Sequence, residues 1–165
     1  MPVKYRHTQI GWVSIIALGM GLLLMLVVFN SMTRLQIPVA AFAALIAVFA
    51  LLLLTFCSLT TEVDGGEFRA RFGLLLWPGK RTELREIAAA VPVRLSLISG
   101  WGIRITTRGM LFNVSGRGAV IVGLTSGKQF LVGSDEPERL ADAINQSLGR
   151  EPVFAGIRGA GVVPM

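Results

Sequence analysis

Few residues of this 165-residue chain carry reactive side chains, and their arrangement argues against catalysis. The single histidine, His7, lies far in sequence from the acidic residues, so neither a His-based triad nor a metal cluster takes shape. Glu83 and Glu86 sit beside Arg81 and Arg85 and read as surface charge on a strand, because no pocket can be argued that would separate two carboxyl pKa values. The run Gly156-Ile157-Arg158-Gly159-Ala160-Gly161 is glycine-rich, yet it follows no clear strand and opens no helix, so it lacks the setting of a phosphate loop. One cysteine, Cys57, excludes an intramolecular disulfide and a Cys-rich zinc site. It reads as a small apolar filler at a helix end, with S-palmitoylation as the alternative. The expectation is a protein that is not an enzyme and holds no cofactor or metal.

Binding chemistry has more material. Arg69 and Arg71 alternate on one predicted strand and form a candidate anion site, although alternate arginines also mark a solvated outer face. Leu74-Leu75-Leu76-Trp77 is a continuous apolar run that ends in Pro78-Gly79-Lys80-Arg81. Such a loop suits a membrane interface or a partner surface: Trp favours interfacial depth, and Lys80 and Arg81 would each gain about 1 kcal/mol near anionic headgroups. The competing expectation places the same side chains in a core or a subunit contact, since short apolar runs are common in buried strands.

What holds these residues at a membrane is the first third of the chain. Ile10–Phe29 and Ile37–Cys57 are runs of 20 and 21 residues without Asp, Glu, Lys or Arg. A span needs roughly 20 apolar residues at a rise of about 1.5 Å each, so both runs predict transmembrane helices. The first is too long for a signal-peptide core, and a second follows after Asn30–Gln36, which predicts a retained helical hairpin over residues 1–57. Ala17, Gly21, Ala40, Ala44 and Ala47 allow close approach of the two helices. Pro38 falls in a first turn, where its missing N–H costs little.

Lys4 and Arg6 precede the first run and the connecting loop carries only Arg34, so the positive-inside rule puts both termini in the cytoplasm. Tyr5 and Trp12 then serve as interface anchors. The net charge of +6 is spread along the chain, and from Ser58 onward thirteen basic residues face ten acidic ones, a net of +3. An inner-leaflet protein accounts for that balance without nucleic acid. Richness in Ala, Gly and Arg points to a bacterial source and hence to a bacterial cytoplasmic membrane.

From Ser58 to about Gly149 the hydrophobic period changes from helix to strand. Leu59, Thr61 and Val63 alternate with Thr60, Glu62 and Asp64, and Asp64-Gly65-Gly66 turns the chain into Phe68, Ala70 and Phe72. Further strands are predicted at Arg81–Arg85, Ile87–Leu95, Ile103–Arg108, Met110–Val114, Val120–Leu124 and Gln129–Gly133, the last two joined by a Ser126-Gly127 turn. A helix follows over Asp135–Leu148. Asp135 is placed to cap it with Glu138 three residues on, Pro137 lies in its first turn, Leu140, Ile144 and Leu148 form its stripe, and Gly149 ends it. The fold class is therefore a membrane α-helical hairpin plus an α+β domain: an antiparallel barrel or sandwich of about seven strands capped by one C-terminal helix. Residues 150–165 read as a flexible tail.

This arrangement resembles the bacterial pleckstrin-homology-like domain, a family often found behind one or two transmembrane helices. The resemblance rests on the hairpin Leu59–Phe72, on Gly100-Trp101-Gly102-Ile103-Arg104, on Leu124-Thr125-Ser126-Gly127-Lys128, and on Val132–Leu140 leading into the helix. It implies a scaffold or binding module that presents a strand edge, a groove or the Leu74–Trp77 loop to a membrane protein or to its own copies as a homo-oligomer; the alternative is a sensor of an anionic lipid headgroup or a small ligand through Arg69, Arg71, Lys80 and Arg81. One departure matters: the first-hairpin loop, basic in phosphoinositide-binding members, is here Asp64-Gly65-Gly66-Glu67.

Overall fold

The computed structural model describes residues 5–31, 39–75, 78–96 and 102–149. A strand, β1 (Tyr5–Ile10), comes first, followed by two helices, α1 (Trp12–Ser31) and α2 (Val39–Phe56). The chain then enters β2 (Ser58–Asp64), β3 (Glu67–Phe72) and β4 (Gly79–Glu83). After a 3₁₀ turn at Leu84–Glu86 come β5 (Ile87–Arg94), β6 (Gly102–Thr106), β7 (Gly109–Asn113), β8 (Gly118–Leu124), β9 (Gln129–Gly133) and α3 (Pro137–Ser147).

The two long helices carry no charged residue over Trp12–Phe29 and Val39–Phe56, and both are long and apolar enough to cross a bilayer. They run side by side in opposite directions: Phe29 stacks on Phe42 at 4.5 Å near one end, and Gly21 packs against Phe49 further along. A Cβ at Gly21 would stand 2.8 Å from the Phe49 ring, so the missing side chain is what admits the ring.

The helical pair is not a separate unit ahead of the sheet. β1 pairs antiparallel with β2, from Tyr5 opposite Val63 to Ile10 opposite Ser58, so residues 5–10 belong to the same sheet as residues 58–83. The helices are thus an insertion between two neighbouring strands. β1 went unrecognised in the sequence because its inward positions are Tyr5, His7 and Gln9, whose polar groups break the apolar alternation that marks a strand. Packing within the sheet holds it in place.

The first sheet runs β1-β2-β3-β4. Leu59, Thr61 and Val63 of β2 and Phe68, Ala70 and Phe72 of β3 are buried as their alternation predicts. The turn between these strands is made by Gly65 and Gly66, both at positive φ, the conformation that matches a two-residue hairpin loop to the twist of its strands. The second sheet runs β5-β8-β9-β7-β6. Its pairs are antiparallel except β7 with β9, which is parallel, so an all-antiparallel ladder of about seven strands is replaced by sheets of four and five.

The core lies between the sheets. Phe68 meets Phe130 at 6.0 Å, Phe72 meets Phe112 at 6.2 Å, and Phe112 meets Phe130 edge-on at 6.4 Å. Phe56, the last residue of α2, joins this cluster edge-on against Phe72 at 5.5 Å and ties the helical pair into the core.

Leu140, Ala141 and Ile144 pack α3 onto β5 and β8, and the buried Asn145 hydrogen-bonds both ways with the edge of β5. Its Oδ1 accepts from Ala90 N at 3.0 Å and its Nδ2 donates to Ala90 O at 2.8 Å, which satisfies an edge that has no strand beyond it among the described residues. Gly149 ends the helix at φ 71, as expected. The start differs from expectation: Glu136 is the cap residue and makes no side-chain cap, while Asp135 turns away to His7. Ser134 Oγ accepts from Glu136 N at 3.1 Å in its place.

Candidate functional site

Where the helical pair meets the sheets, the backbone is stitched rather than linked. Gly11 N donates to Cys57 O at 2.7 Å, Ser115 Oγ to Ile10 O at 2.8 Å, and Gln9 Nε2 to Ser115 O at 2.8 Å. Ser14 Oγ, in the first turn of α1, reaches Val114 O at 3.3 Å. Gly11 leaves no room for a side chain, since a Cβ there would lie 2.7 Å from Phe56 O and 3.2 Å from Val114 Cβ. On the opposite flank Gly73 N donates to Ser58 O at 2.8 Å and Leu74 N to Leu54 O at 3.1 Å, so the loop after β3 supplies a donor to a last-turn carbonyl of α2. The sheets are docked directly on the helix ends.

That contact places Leu74 and Leu75 beside the last turn of α2, 72% and 54% exposed. Neither fills the core, the competing expectation for this run. Leu76 and Trp77 lie outside the described residues.

The basic residues singled out in the sequence do not converge. Arg69 and Arg81 face each other across β3 and β4, and both grip Glu67: Arg69 Nη2 at 2.7 Å, with Arg81 Nη2 on the other carboxylate oxygen. Hydrogen bonds first from Arg81 and then from Arg69 hold the Glu67 carboxyl below its ordinary range, and the same contact raises Arg81. Lys80 points to the other face, its Nζ 5.6 Å from the centre of the Phe130 ring. Arg71 stands one register step away, opposite Thr60 and Gly79, and makes no ion pair among the described residues. Of the four cations, two are spent on one carboxylate and a third leans on an aromatic ring.

An exposed strand edge or groove is expected from the sequence, but two such features could not be placed from it. The first is the open edge of the second sheet. Among the described residues β6 has a strand neighbour on one side only, and Ile105 opposite Met110 and Ile103 opposite Phe112 share the face that Phe112 turns to the core. The first sheet does not reach this far, which leaves Ile105 89%, Met110 44% and Ile103 36% exposed. Alternation at 103 and 105 announces a strand, but whether its apolar face is covered depends on how far another sheet extends.

The second is a groove of about 1030 Å³ at the foot of α1. Its walls come from Thr8–Ile10 with Trp12, Val91–Arg94, Ser115–Gly118 and the approach to α3, four segments that nothing in the sequence brings together. Arg94 and Arg117 contribute the cations and Asp135 and Glu138 the carboxylates. Beside it, His7 Nε2 meets Asp135 Oδ1 at 2.5 Å and His7 Nδ1 lies 3.6 Å from Glu136, which fastens β1 to the start of α3. Burial first, then the Glu136 carboxylate, pushes the Tyr5 hydroxyl up to about 12.

Among the described residues no group of three His, Cys, Asp or Glu could hold a metal ion. Comparison with family models, with curated proteins and with solved structures found no match to this chain.

Proposed function

We propose that this chain is a membrane-anchored, non-catalytic binding module that presents a pleckstrin-homology-like domain at the cytoplasmic face of a bacterial membrane for protein interaction or self-assembly. The observation that carries this reading is the open β6 edge, where Ile105, Met110 and Ile103 extend the core face beyond the first sheet. An uncovered edge strand offers main-chain hydrogen bonds to an incoming strand, and its apolar face offers area to bury. The domain is suited to a fixed scaffold because it is hydrogen-bonded to both helix ends instead of hanging on a linker. Two sheets closed by a C-terminal helix support the family resemblance, and the parallel β7–β9 pair departs from it.

The alternative, a sensor of anionic headgroups through Arg69, Arg71, Lys80 and Arg81, has weaker support because Glu67 already engages two of the four. Crosslinking the full chain in its native membrane tests the favoured reading. Wild type is expected to give a defined oligomer or partner adduct that Ile105→Lys abolishes and that Lys80→Ala/Arg81→Ala retains. An adduct insensitive to Ile105→Lys overturns the edge as the interface.

A further inference from the structure

We infer that the groove at the foot of α1 binds the headgroup of a zwitterionic aminophospholipid. This goes beyond the partner surface at β6 and depends on the membrane reading of α1 and α2.

Position is the first argument. Trp12, the first residue of α1, stands at the groove mouth 62% exposed, with Ile10 beside it. If α1 spans the bilayer, this mouth opens at the depth where headgroups lie and where Trp side chains concentrate. Size is the second: about 1030 Å³ stands at the upper end of the roughly 300–1,000 Å³ of small-ligand sites, enough for a headgroup, a glycerol and the first methylenes along Ile10 and Val93.

Charge decides the class of headgroup. Arg94 ends β5 and Arg117 sits just before β8, and the two are held together because Leu95 N donates to Arg117 O at 2.6 Å and Arg117 Nε returns to Leu95 O at 3.3 Å. Neither guanidinium makes an ion pair among the described residues. Both residues line the groove, where two guanidinium groups could meet the two free oxygens of a phosphodiester. Of the two carboxylates, Asp135 is engaged by His7, whereas Glu138 has no ion-pair partner among the described residues and is free to accept from an ammonium. A groove with balanced charge favours a headgroup that carries both signs, and Glu138 would oppose one that is only anionic.

The full chain in nanodiscs of equal phosphatidylethanolamine, phosphatidylcholine and phosphatidylglycerol, matched in acyl chains, is extracted into detergent and its retained lipid read by native mass spectrometry. Phosphatidylethanolamine is expected to be retained about tenfold over phosphatidylglycerol, the scale of one charge-assisted hydrogen bond gained. Arg94→Ala/Arg117→Ala should remove bound lipid of every headgroup, and Glu138→Gln should remove the preference alone. Arg69→Ala/Arg71→Ala should change neither. Retention blind to headgroup or retention unaffected by the Arg94/Arg117 pair overturns the lipid site, as does a peptide found in place of lipid. Failure of the chain to enter nanodiscs overturns the membrane reading and this site with it, whereas incorporation with headgroup-blind retention overturns the site alone.

Discussion

Replacing Gly11 by Ala should loosen the joint between the helices and the sheets. The added methyl would meet Phe56 O at 2.7 Å, Cys57 O at 3.1 Å and Val114 Cβ at 3.2 Å, against the ~3.5–4.0 Å at which carbon contacts are comfortable. Two of these neighbours are backbone and cannot rotate aside, so β1 must move away from the end of α2. Overpacking of this kind costs about 1–3 kcal/mol, and weakening the 2.7 Å bond from Gly11 N to Cys57 O adds about 0.5–1.5 kcal/mol. The smaller entropy of the unfolded chain returns about 0.4–1 kcal/mol, for a net loss of roughly 1–3 kcal/mol. Hydrogen exchange of the full chain in nanodiscs reads this as about 5- to 150-fold faster opening of the amides around residues 9–11 and 57–60. Gly19→Ala is the control: nothing lies within 4 Å of the Cβ it would add, so exchange at the joint should be unchanged. Equal protection in wild type and Gly11→Ala would refute the claim that the domain is sterically locked to the helix ends.

Other perturbations probe other contacts. Asn145→Ala strips both partners from Ala90 and leaves a buried N–H and C=O, which should cost about 2–4 kcal/mol in chemical unfolding of the full chain, whereas Gln146→Ala at the exposed neighbouring position should cost little; an equal loss in both variants would contradict the role of the Asn145 pair. Tyr5 is the only tyrosine, so phenolate absorbance reports it directly. Its midpoint should fall near 12, and because burial raises the folded value, the stabilisation is intact below pH 10 and disappears as pH climbs toward 12, with β1 leaving the sheet; titration at 10 with the sheet intact contradicts its burial. Glu67 has the opposite sign: its carboxyl is held below the ordinary 4.5, so its contribution is present above that pH and lost as pH falls further, and Glu67→Gln should flatten the acid limb of the unfolding midpoint. If Leu74 and Leu75 enter the interface, brominated lipid should quench Trp77 in a Trp12→Phe/Trp101→Phe background, and Leu74→Glu/Leu75→Glu should abolish the quenching; identical quenching in both would exclude the contact.

The helices, the first hairpin and α3 were legible along the chain because each is encoded by neighbours. Uncharged runs of span length, strict alternation into an Asp-Gly-Gly turn, and a Leu140/Ile144 stripe closed by Gly149 are local signals that tertiary packing had no reason to override. β1 was not legible, since Tyr5, His7 and Gln9 become an inward face only when Val63, Thr61 and Leu59 lie opposite them, with the two helices intervening. Arg69 and Arg71, and Lys80 and Arg81, read as available to anions because sequence alone does not show which face of a strand a residue takes or which carboxylate lies across the ladder. Leu74 and Leu75 could be placed in a core or outside it until Leu54 fixed where their loop sits. The β6 edge and the groove depend on distances between segments that are remote in sequence. Composition and period therefore determine which elements form, while the reach of one sheet past another, and the spaces left between them, emerge only when the chain closes on itself.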